Sequence, residues 1–268
     1  MMAVGGQAAG RQTALVTGAS RGIGYELAKL LARDGYDLVL VARNEQELNQ
    51  LGEEMKREYG TAVTVMAKDL SVATAPKEVF EEVERRGIRV DVLVNNAGFG
   101  TIGPFVRQAL DGQLRMVQVN VTALVHLTGL FLPEMVARGT GRILNVASTA
   151  AFQPGPLMAV YYASKAFVLS FSEALWEEAR GTGVKVSCLC PGSTVSKFRE
   201  VAGTNKVRLS RAGAQMPSMT VARMGYGAWQ SNKRVEVTGA RNRAIASVVR
   251  FLPRTTLLRL VRNIQSPI

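Results

Sequence analysis

Tyr161 and Lys165 lie four residues apart, and Ser148 precedes the tyrosine by thirteen residues. Residues i and i+4 of a helix share a face, so the ammonium of Lys165 can approach the phenol of Tyr161. A free tyrosine has a pKa of about 10, and a neighbouring cation should lower that pKa. Ser148 follows the apolar run 142–147, which is typical of a buried strand, so its hydroxyl can face a cleft beside the tyrosine. The three side chains predict a site that exchanges a proton, although many helices carry such a pair on a solvated surface.

Strand and helix patterns alternate along the chain and would bring these side chains to one end of a sheet. Predicted strands occupy residues 13–17, 37–42, 62–67, 90–95, 142–147 and 184–190. Predicted helices occupy residues 23–33, 45–59, 76–86, 113–138 and 161–180. Strands that are apolar throughout and separated by helices indicate a parallel sheet with helices on both faces. We therefore predict an α/β fold, with a single doubly wound, Rossmann-like sheet forming one domain over residues 13–240.

A glycine-rich loop joins the first predicted strand to the first predicted helix. Its three glycines allow a tight turn and a close backbone approach to a ligand. The helix that follows offers free N–H groups and a positive dipole end, which suit a pyrophosphate. The loop predicts a dinucleotide site, and its candidate contacts are Gly18, Ser20, Arg21, Gly22, Ile23 and Gly24.

The second predicted strand ends at Ala42, and neither position 42 nor position 43 is an acid. Enzymes that use NAD usually place an acid near here to bond the ribose 2′-hydroxyl. Arg43 and Arg21 can instead clamp a 2′-phosphate, because guanidinium forks match phosphate geometry. We therefore predict NADP(H) as the cofactor, with two ordinary surface arginines as the alternative.

Two further strand ends carry residues suited to the same nucleotide. An aspartate after the third strand can accept a hydrogen bond from the adenine amino group, and the leucine beside it can cover the ring edge. Helix capping is the alternative there, with Ser71 and Thr74 as competing cap residues. Small residues after the fourth strand permit close contact with the cofactor, while the asparagine amides tie strand ends together. The candidate contacts are Asp69, Leu70, Asn96, Ala97 and Gly98.

Composition and residue counts bear on the cellular location, the state of the cysteines and the presence of a metal site. The chain has 268 residues, 47% of them hydrophobic, and a formal net charge of +12. Residues 1–12 lack the apolar core of a secretory signal, and we expect no apolar stretch to reach the length of a membrane span. We therefore predict a flexible tail and a cytoplasmic location. Cys188 and Cys190 fit reduced core residues. His126 is the only histidine and has no cysteine ligand pattern around it, so we predict no metal site.

Two segments depart from the alternation of strands and helices. Residues 193–221 are polar and follow the end of the sixth strand, where ligands bind in open sheets. We predict a substrate lid there, with an ordinary surface excursion as the alternative. Residues 241–268 form a basic amphipathic extension that contacts a membrane surface, covers a neighbouring subunit or packs on its own domain. The apolar residues that share a face in this extension are Leu257, Leu260, Val261 and Ile264.

With these residues in place, the chain resembles the short-chain dehydrogenase/reductase family, and most of all its NADP-dependent bacterial carbonyl reductases. The motifs that carry the resemblance occur in order between residues 13 and 192. They are TGASRGIG at 17–24, Asp69 with Leu70, NNAG at 95–98, Asn120, Ser148, YYASK at 161–165, and Pro191 with Gly192. The resemblance implies a catalytic tetrad of Asn120, Ser148, Tyr161 and Lys165, and it adds Pro191 and Gly192 to the cofactor contacts.

The resemblance also implies reversible hydride transfer between NADP(H) and a carbonyl or secondary alcohol. Tyr161 would donate the proton, and Ser148 would bond the reacting oxygen. Lys165 would lower the pKa of Tyr161 and hold the nicotinamide ribose. Asn120 would hold a water that links Lys165 to solvent, with a purely structural amide as the alternative. Tyr162 would point about 100° away from Tyr161 on the helix and serve in packing.

A catalytically silent NADP-binding sensor or scaffold is the competing hypothesis, and the intact tetrad argues against it. A nucleic-acid binder is suggested only by the charge, and the sequence contains no recognition motif of that class. The expected partners are a small carbonyl or alcohol substrate and further copies of the chain, as a dimer or tetramer.

Overall fold

The computed structural model describes residues 11–196, 198, 202–203 and 215–266, so the predicted N-terminal tail lies almost wholly outside the described residues. The strands are β1 (Thr13–Thr17), β2 (Asp37–Ala42), β3 (Val63–Ala67), β4 (Val90–Asn95), β5 (Gly141–Val146), β6 (Val184–Cys190), β7 (Thr194–Val195), β8 (Met216–Pro217) and β9 (Val235–Val237). The α-helices are α1 (Gly22–Arg33), α2 (Glu45–Tyr59), α3 (Ala75–Arg85), α4 (Leu110–Val117), α5 (Ala123–Ala137), α6 (Ala159–Glu178), α7 (Ser218–Gln230), α8 (Ala240–Val248) and α9 (Arg254–Gln265). Short 3₁₀ turns cover Phe105–Arg107, Thr149–Phe152 and Val249–Phe251.

Within the described residues, seven strands form one parallel sheet in the order β3-β2-β1-β4-β5-β6-β9. The chain leaves β1 toward β2 and β3 on one side, and returns to place β4 on the other side. This reversal of direction between β1 and β4 opens a crevice at the carboxyl ends of the two strands, where ligands bind in such sheets. The predicted doubly wound, Rossmann-like fold is confirmed.

The strands are apolar throughout because both faces of the sheet are covered by helices. Val16 and Leu40 face a core formed with α1, α2 and α7, whereas Leu15 and Val39 face a second core formed with α3, α5 and α6. Successive strand residues therefore enter opposite cores, as the alternation of side chains along a strand requires.

The single long helix predicted over residues 113–138 is interrupted in the structure. A π turn over Gln118–Thr122 separates α4 from α5. The prediction that no apolar stretch reaches membrane-spanning length is wrong, since the helical run Leu110–Ala137 has 28 residues and contains an 18-residue window with a mean hydropathy of 1.4, enough to span a membrane by length and composition. Leu127, Phe131 and Met135 of this run are buried against the sheet, which is typical of a core helix.

The C-terminal third contains elements that the sequence patterns did not predict, namely β7, β8, β9, α7 and α8. The predicted lid over residues 193–221 ends too late, because α7 already begins at Ser218 and its Val221 is fully buried in the core. Residues 197, 199–201 and 204–214 of that segment lie outside the described residues. Helix α9 packs on its own domain through Leu257 and Val261, while Leu260 remains exposed and Ile264 is half-buried.

Candidate active site

Helix α6 carries the tyrosine and the lysine in its first two turns, and both side chains are buried. The Nζ atom of Lys165 lies 6.0 Å from the centre of the Tyr161 ring. The same Nζ atom donates a hydrogen bond to the carbonyl oxygen of Val146, the last residue of β5, at 2.8 Å. The i, i+4 spacing therefore brings the two groups together as predicted, but a backbone carbonyl takes one of the three ammonium hydrogens.

Burial dominates the acid–base properties of both groups. It raises the pKa of Tyr161 to about 12, against the opposing effect of a hydrogen bond from Ser148. It lowers the pKa of Lys165 to about 8, because a charged amine is disfavoured away from water. The predicted lowering of the Tyr161 pKa by Lys165 is wrong, since loss of solvation raises this pKa and the opposing effect comes from Ser148.

Ser148 is held at the end of β5 by its own turn. Its hydroxyl oxygen accepts a hydrogen bond from the backbone N–H of Ala150 at 3.1 Å, capping the 3₁₀ turn Thr149–Phe152. The hydroxyl also lies 3.4 Å from the carbonyl oxygen of Pro191, and the N–H of Thr149 donates to the same carbonyl at 2.8 Å. The end of β6 therefore fixes the serine beside the tyrosine.

Asn120 occupies the π turn, and its side chain is bonded to protein. Its amide nitrogen donates to the carbonyl oxygen of Phe99 at 2.9 Å and to the hydroxyl of Ser164 at 3.0 Å. Its amide oxygen accepts from the N–H of Phe99 at 3.0 Å. Both amide hydrogens are used, so the structure supports the structural alternative, in which this residue clamps the loop after β4 onto α6. A water bonded to the remaining lone pair stays a prediction.

The glycine loop fits an anionic group at the start of α1. Gly18 and Gly22 have φ angles of +65° and +59°, which a residue with a side chain rarely adopts. The first turn of α1 contains no acid, and its N-cap residue Arg21 makes no side-chain capping bond. The N–H groups of a 12-residue helix therefore remain available beside Ser20 and Ile23, which are half-buried.

The residues after β4 connect this loop to the catalytic lysine. The Asn96 amide donates to the carbonyl oxygens of Thr17 at 2.9 Å and Gly18 at 3.2 Å, so it ties two strand ends together as predicted. A Cβ atom on Gly98 would lie 3.3 Å from Nζ of Lys165. The segment of Asn96, Ala97 and Gly98 thus runs between the loop and the lysine, along the crevice between β1 and β4.

The predicted arginine clamp is only partly assembled. Arg43 is exposed after β2, whereas Arg21 is paired with Glu47 in the first turn of α2, its Nε lying 2.6 Å from a carboxylate oxygen. Exposed ion pairs of this kind are weak, so an incoming phosphate can compete for the guanidinium. Sequence reasoning missed this pair because Glu47 lies on the next helix.

The remaining predicted cofactor residues have partners within the protein. Asp69 is exposed and accepts a hydrogen bond from the N–H of Ser71 at 2.9 Å, a turn contact that leaves its other oxygen for an adenine amino group. Leu70 packs into the core rather than lying open to cover a ring. The N–H of Gly192 donates to the hydroxyl of Thr238 at 3.1 Å, which fastens the end of β6 to β9.

The wall beside Tyr161 is apolar and was not predicted. The rings of Tyr161 and Phe198 lie 5.3 Å apart. A Cβ atom on Gly100 would lie 3.0 Å from the Tyr161 ring and 3.2 Å from Met158. These residues come from three distant parts of the chain, so no local pattern reveals their meeting. Tyr162 lies in the same buried cluster as Tyr161 and Met158, and its hydroxyl accepts a hydrogen bond from Gln265.

The sequence profile of the family described as short chain dehydrogenase matches residues 12–206, which is more than half of the chain. The chain belongs to the short-chain dehydrogenase/reductase family. The family is one of oxidoreductases, and the predicted tetrad lies together at the carboxyl end of the sheet.

Relatives within the short-chain dehydrogenase/reductase family cover different shares of the chain. A short chain dehydrogenase from Pseudocercospora fijiensis is 40% identical over 195 residues, which are 72% of this chain but only 62% of that relative. The ketoacyl reductase HetN from Nostoc sp. is 33% identical over 241 residues, 90% of this chain and 83% of that relative. A solved short-chain dehydrogenase from Sphingobium yanoikuyae, in complex with NADPH, has a TM-score of 0.80 at 32% identity and covers 90% of this chain and 94% of its own.

Proposed function

We propose that the protein transfers a hydride between NADP(H) and the carbonyl or secondary alcohol of an apolar substrate. The observation that carries this proposal is the buried Tyr161 side chain, with Ser148 close enough to oppose the rise in its pKa and Lys165 beside its ring, at the end of the crevice that begins at the glycine loop. A relative in this family is solved with NADPH, which supports the cofactor. The absence of an acid at positions 42 and 43 favours the phosphorylated form.

The nicotinamide supplies the hydride when it is bound. Tyr161 remains protonated at neutral pH because its pKa is about 12, so its hydroxyl is available to donate a proton to the substrate oxygen. Ser148 lowers the pKa of the same phenol, so its hydroxyl can stabilise the charge that develops there. Lys165 has two ammonium hydrogens left after its bond to Val146, and these can hold a ribose hydroxyl and face the developing phenolate.

The pocket wall favours an apolar substrate. Phe198, Gly100 and Met158 surround the Tyr161 ring, and none of them offers a charged group for a sugar or a carboxylate. An acyl chain or a ring system suits such a wall, since removing apolar surface from water is favourable. A 3-oxoacyl thioester is one candidate, because the relative HetN is a ketoacyl reductase.

We further propose a cytoplasmic homo-oligomer, a dimer or a tetramer. The outer face of α4 and the start of α5 expose Leu110, Leu114, Val117 and Val125, and contiguous apolar side chains of this kind suit a subunit contact. Sedimentation of the purified protein over a concentration series tests the assembly.

A panel of carbonyls and alcohols, each assayed with NADPH and NADH or their oxidised forms, tests the activity. We expect reduction of apolar ketones or 3-oxoacyl thioesters with NADPH, measured as the loss of NADPH absorbance. If NADPH binds but no carbonyl in the panel is reduced, the silent sensor or scaffold becomes the better hypothesis.

A further inference from the structure

The C-terminal segment presents exposed apolar side chains at a corner between two helices. Ile245 and Val248 of α8 lie on one helical face, and the 3₁₀ turn that follows carries Phe251. Their exposed fractions are 45%, 54% and 81%. Leu258 and Leu260 of α9 are exposed on the flanks of the next helix. We call these five residues, with the arginines among them, the C-terminal arginine surface.

The charge of this surface has one sign. Residues 237–268 contain six arginines and no aspartate or glutamate. Arg243 approaches Glu236 at 3.5 Å, but the arginines at positions 250, 254, 259 and 262 are exposed and form no ion pair within the described part of the chain. A surface that mixes unpaired arginines with exposed aromatic and aliphatic side chains fits the headgroup region of an anionic bilayer.

The same segment forms part of the wall behind the catalytic tyrosine. On the inner side of α9, Leu257 and Val261 are buried in one cluster with Met158, Tyr161 and Tyr162. Gln265, from the last turn of α9, bonds the hydroxyl of Tyr162. A single short helix therefore has the catalytic helix on one side and the exposed arginines on the other.

We propose that the C-terminal arginine surface docks the protein onto anionic lipid. Arginine guanidinium groups bond the phosphates, while Phe251 and its apolar neighbours enter the boundary of the acyl region. Because α9 also packs beside the active site, an apolar substrate partitioned in the bilayer reaches the pocket over a short path. This last step rests on the proposed function, whereas the docking itself does not.

A second copy of the chain fits this surface less well than anionic lipid does. A two-fold contact brings the same patch of both subunits together. It would place the arginines of one copy against those of the other, with no carboxylate in residues 237–268 to separate them. Like charges brought together at an interface oppose association.

Cosedimentation of the full chain with vesicles tests the docking without any enzymatic assay. The vesicles are pure phosphatidylcholine or phosphatidylcholine with roughly one third phosphatidylglycerol. We expect binding to the anionic vesicles only. Changing Arg250, Arg254 and Arg259 together to glutamine should weaken that binding by roughly tenfold or more, because each arginine near an anionic surface contributes its own electrostatic attraction to the lipid. Phe251→Ser should also weaken it.

Matched variants separate a specific surface from general charge and hydrophobicity. Arg57, Arg107 and Arg223 are exposed elsewhere, and changing all three to glutamine removes the same charge. Phe105→Ser removes an exposed phenylalanine far along the chain. These controls should bind vesicles like the unchanged protein. The proposal would be overturned if the protein did not bind anionic vesicles, or if both sets of variants lost vesicle binding equally. It would also be overturned if Phe251→Ser left vesicle binding unchanged and altered only the sedimentation coefficient of the protein without vesicles, which would assign the surface to a protein contact.

Discussion

Lys165 and Tyr161 are both buried, and burial lowers the pKa of the lysine while it raises the pKa of the tyrosine. The amine becomes easier to deprotonate, with a pKa of about 8, and the phenol becomes harder to deprotonate, with a pKa of about 12. The protein therefore keeps a neutral proton donor beside a cation that is close to its titration point at physiological pH. Residue spacing revealed that these groups meet, but it could not reveal the loss of solvation or the Val146 carbonyl that holds the amine.

The depressed pKa of Lys165 predicts a pH-dependent folding stability. The unfolded chain keeps this amine protonated up to its ordinary pKa of 10.5, whereas the folded protein releases the proton from about pH 8. The unfolded state thus binds more protons between pH 8 and 10.5, so the contribution of Lys165 to the free energy of unfolding rises with pH in that window. Urea unfolding at pH 8 and pH 10 should show this rise, on the order of 2 kcal/mol, in the unchanged protein but not in Lys165→Met. The same pH dependence in both proteins would contradict the assignment.

A second prediction concerns Arg43 and its expected contact with the 2′-phosphate of NADPH. Its guanidinium is exposed at the end of β2, and a 2′-phosphate bonded there would lose its partner in Arg43→Glu. We expect the dissociation constant for NADPH to rise by roughly tenfold or more, with a much smaller change for NADH, in a fluorescence titration. Arg57→Glu, with the same charge change in the last turn of α2, is the control. Equal weakening of both nucleotides would remove the case for phosphate recognition.

At the scale of elements, the contact between α1 and the ends of β1 and β4 depends on a missing side chain. A Cβ atom on Gly24 would overlap the carbonyl oxygen of Gly18 and the amide of Asn96. This glycine therefore allows α1 to approach the strand ends closely, which sets the position of the helix N-terminus that faces the crevice. The sequence placed the glycine loop correctly and indicated a tight turn and ligand contact, but it gave no sign of this internal packing.

Gly24→Ala should destabilise the fold through this overlap. We expect a loss of about 1–3 kcal/mol in the free energy of unfolding, measured by urea denaturation. Gly112→Ala is the matched control, because Gly112 is also helical and nothing lies within 4 Å of the position its Cβ would take. That variant should be neutral or more stable by up to about 1 kcal/mol. Similar losses in the two variants would show that the backbone, not the close contact, is sensitive.

The π turn between α4 and α5 is a feature that the apolar periodicity of the sequence does not predict. Apolar residues continue at helical spacing through residues 113–138, so the pattern predicts one uninterrupted helix. The wider turn over Gln118–Thr122 is decided by Asn120, whose amide bonds Phe99 and Ser164 from other parts of the chain. Tertiary partners of this kind leave no trace in local spacing.

For the whole molecule, the alternation of apolar strands and amphipathic helices was enough to predict the strands through β6 and their doubly wound parallel sheet. Each of these strands contributes residues to both cores, so the pattern reflects the packing directly. Beyond Gly192 the strands shrink to two or three residues, and their pairing rests on contacts such as Gly192 with Thr238. The packing of α9 behind Tyr162 belongs to this part of the chain, and the apolar pocket wall joins Phe198 from this part to Gly100 and Met158 from earlier parts, so neither could be predicted from local patterns.

In the proposed reaction, the Tyr161 hydroxyl delivers the proton in carbonyl reduction. Tyr161→Phe removes that hydroxyl and preserves the ring that packs against Phe198 and Tyr162. With a carbonyl substrate identified from the panel, single-turnover reduction by bound NADPH measures the chemical step, and a fluorescence titration measures NADPH binding separately. We expect a rate lower by roughly 10²–10⁴-fold with NADPH affinity unchanged. If the variant reduced the substrate at the rate of the unchanged protein, Tyr161 would not be the proton donor.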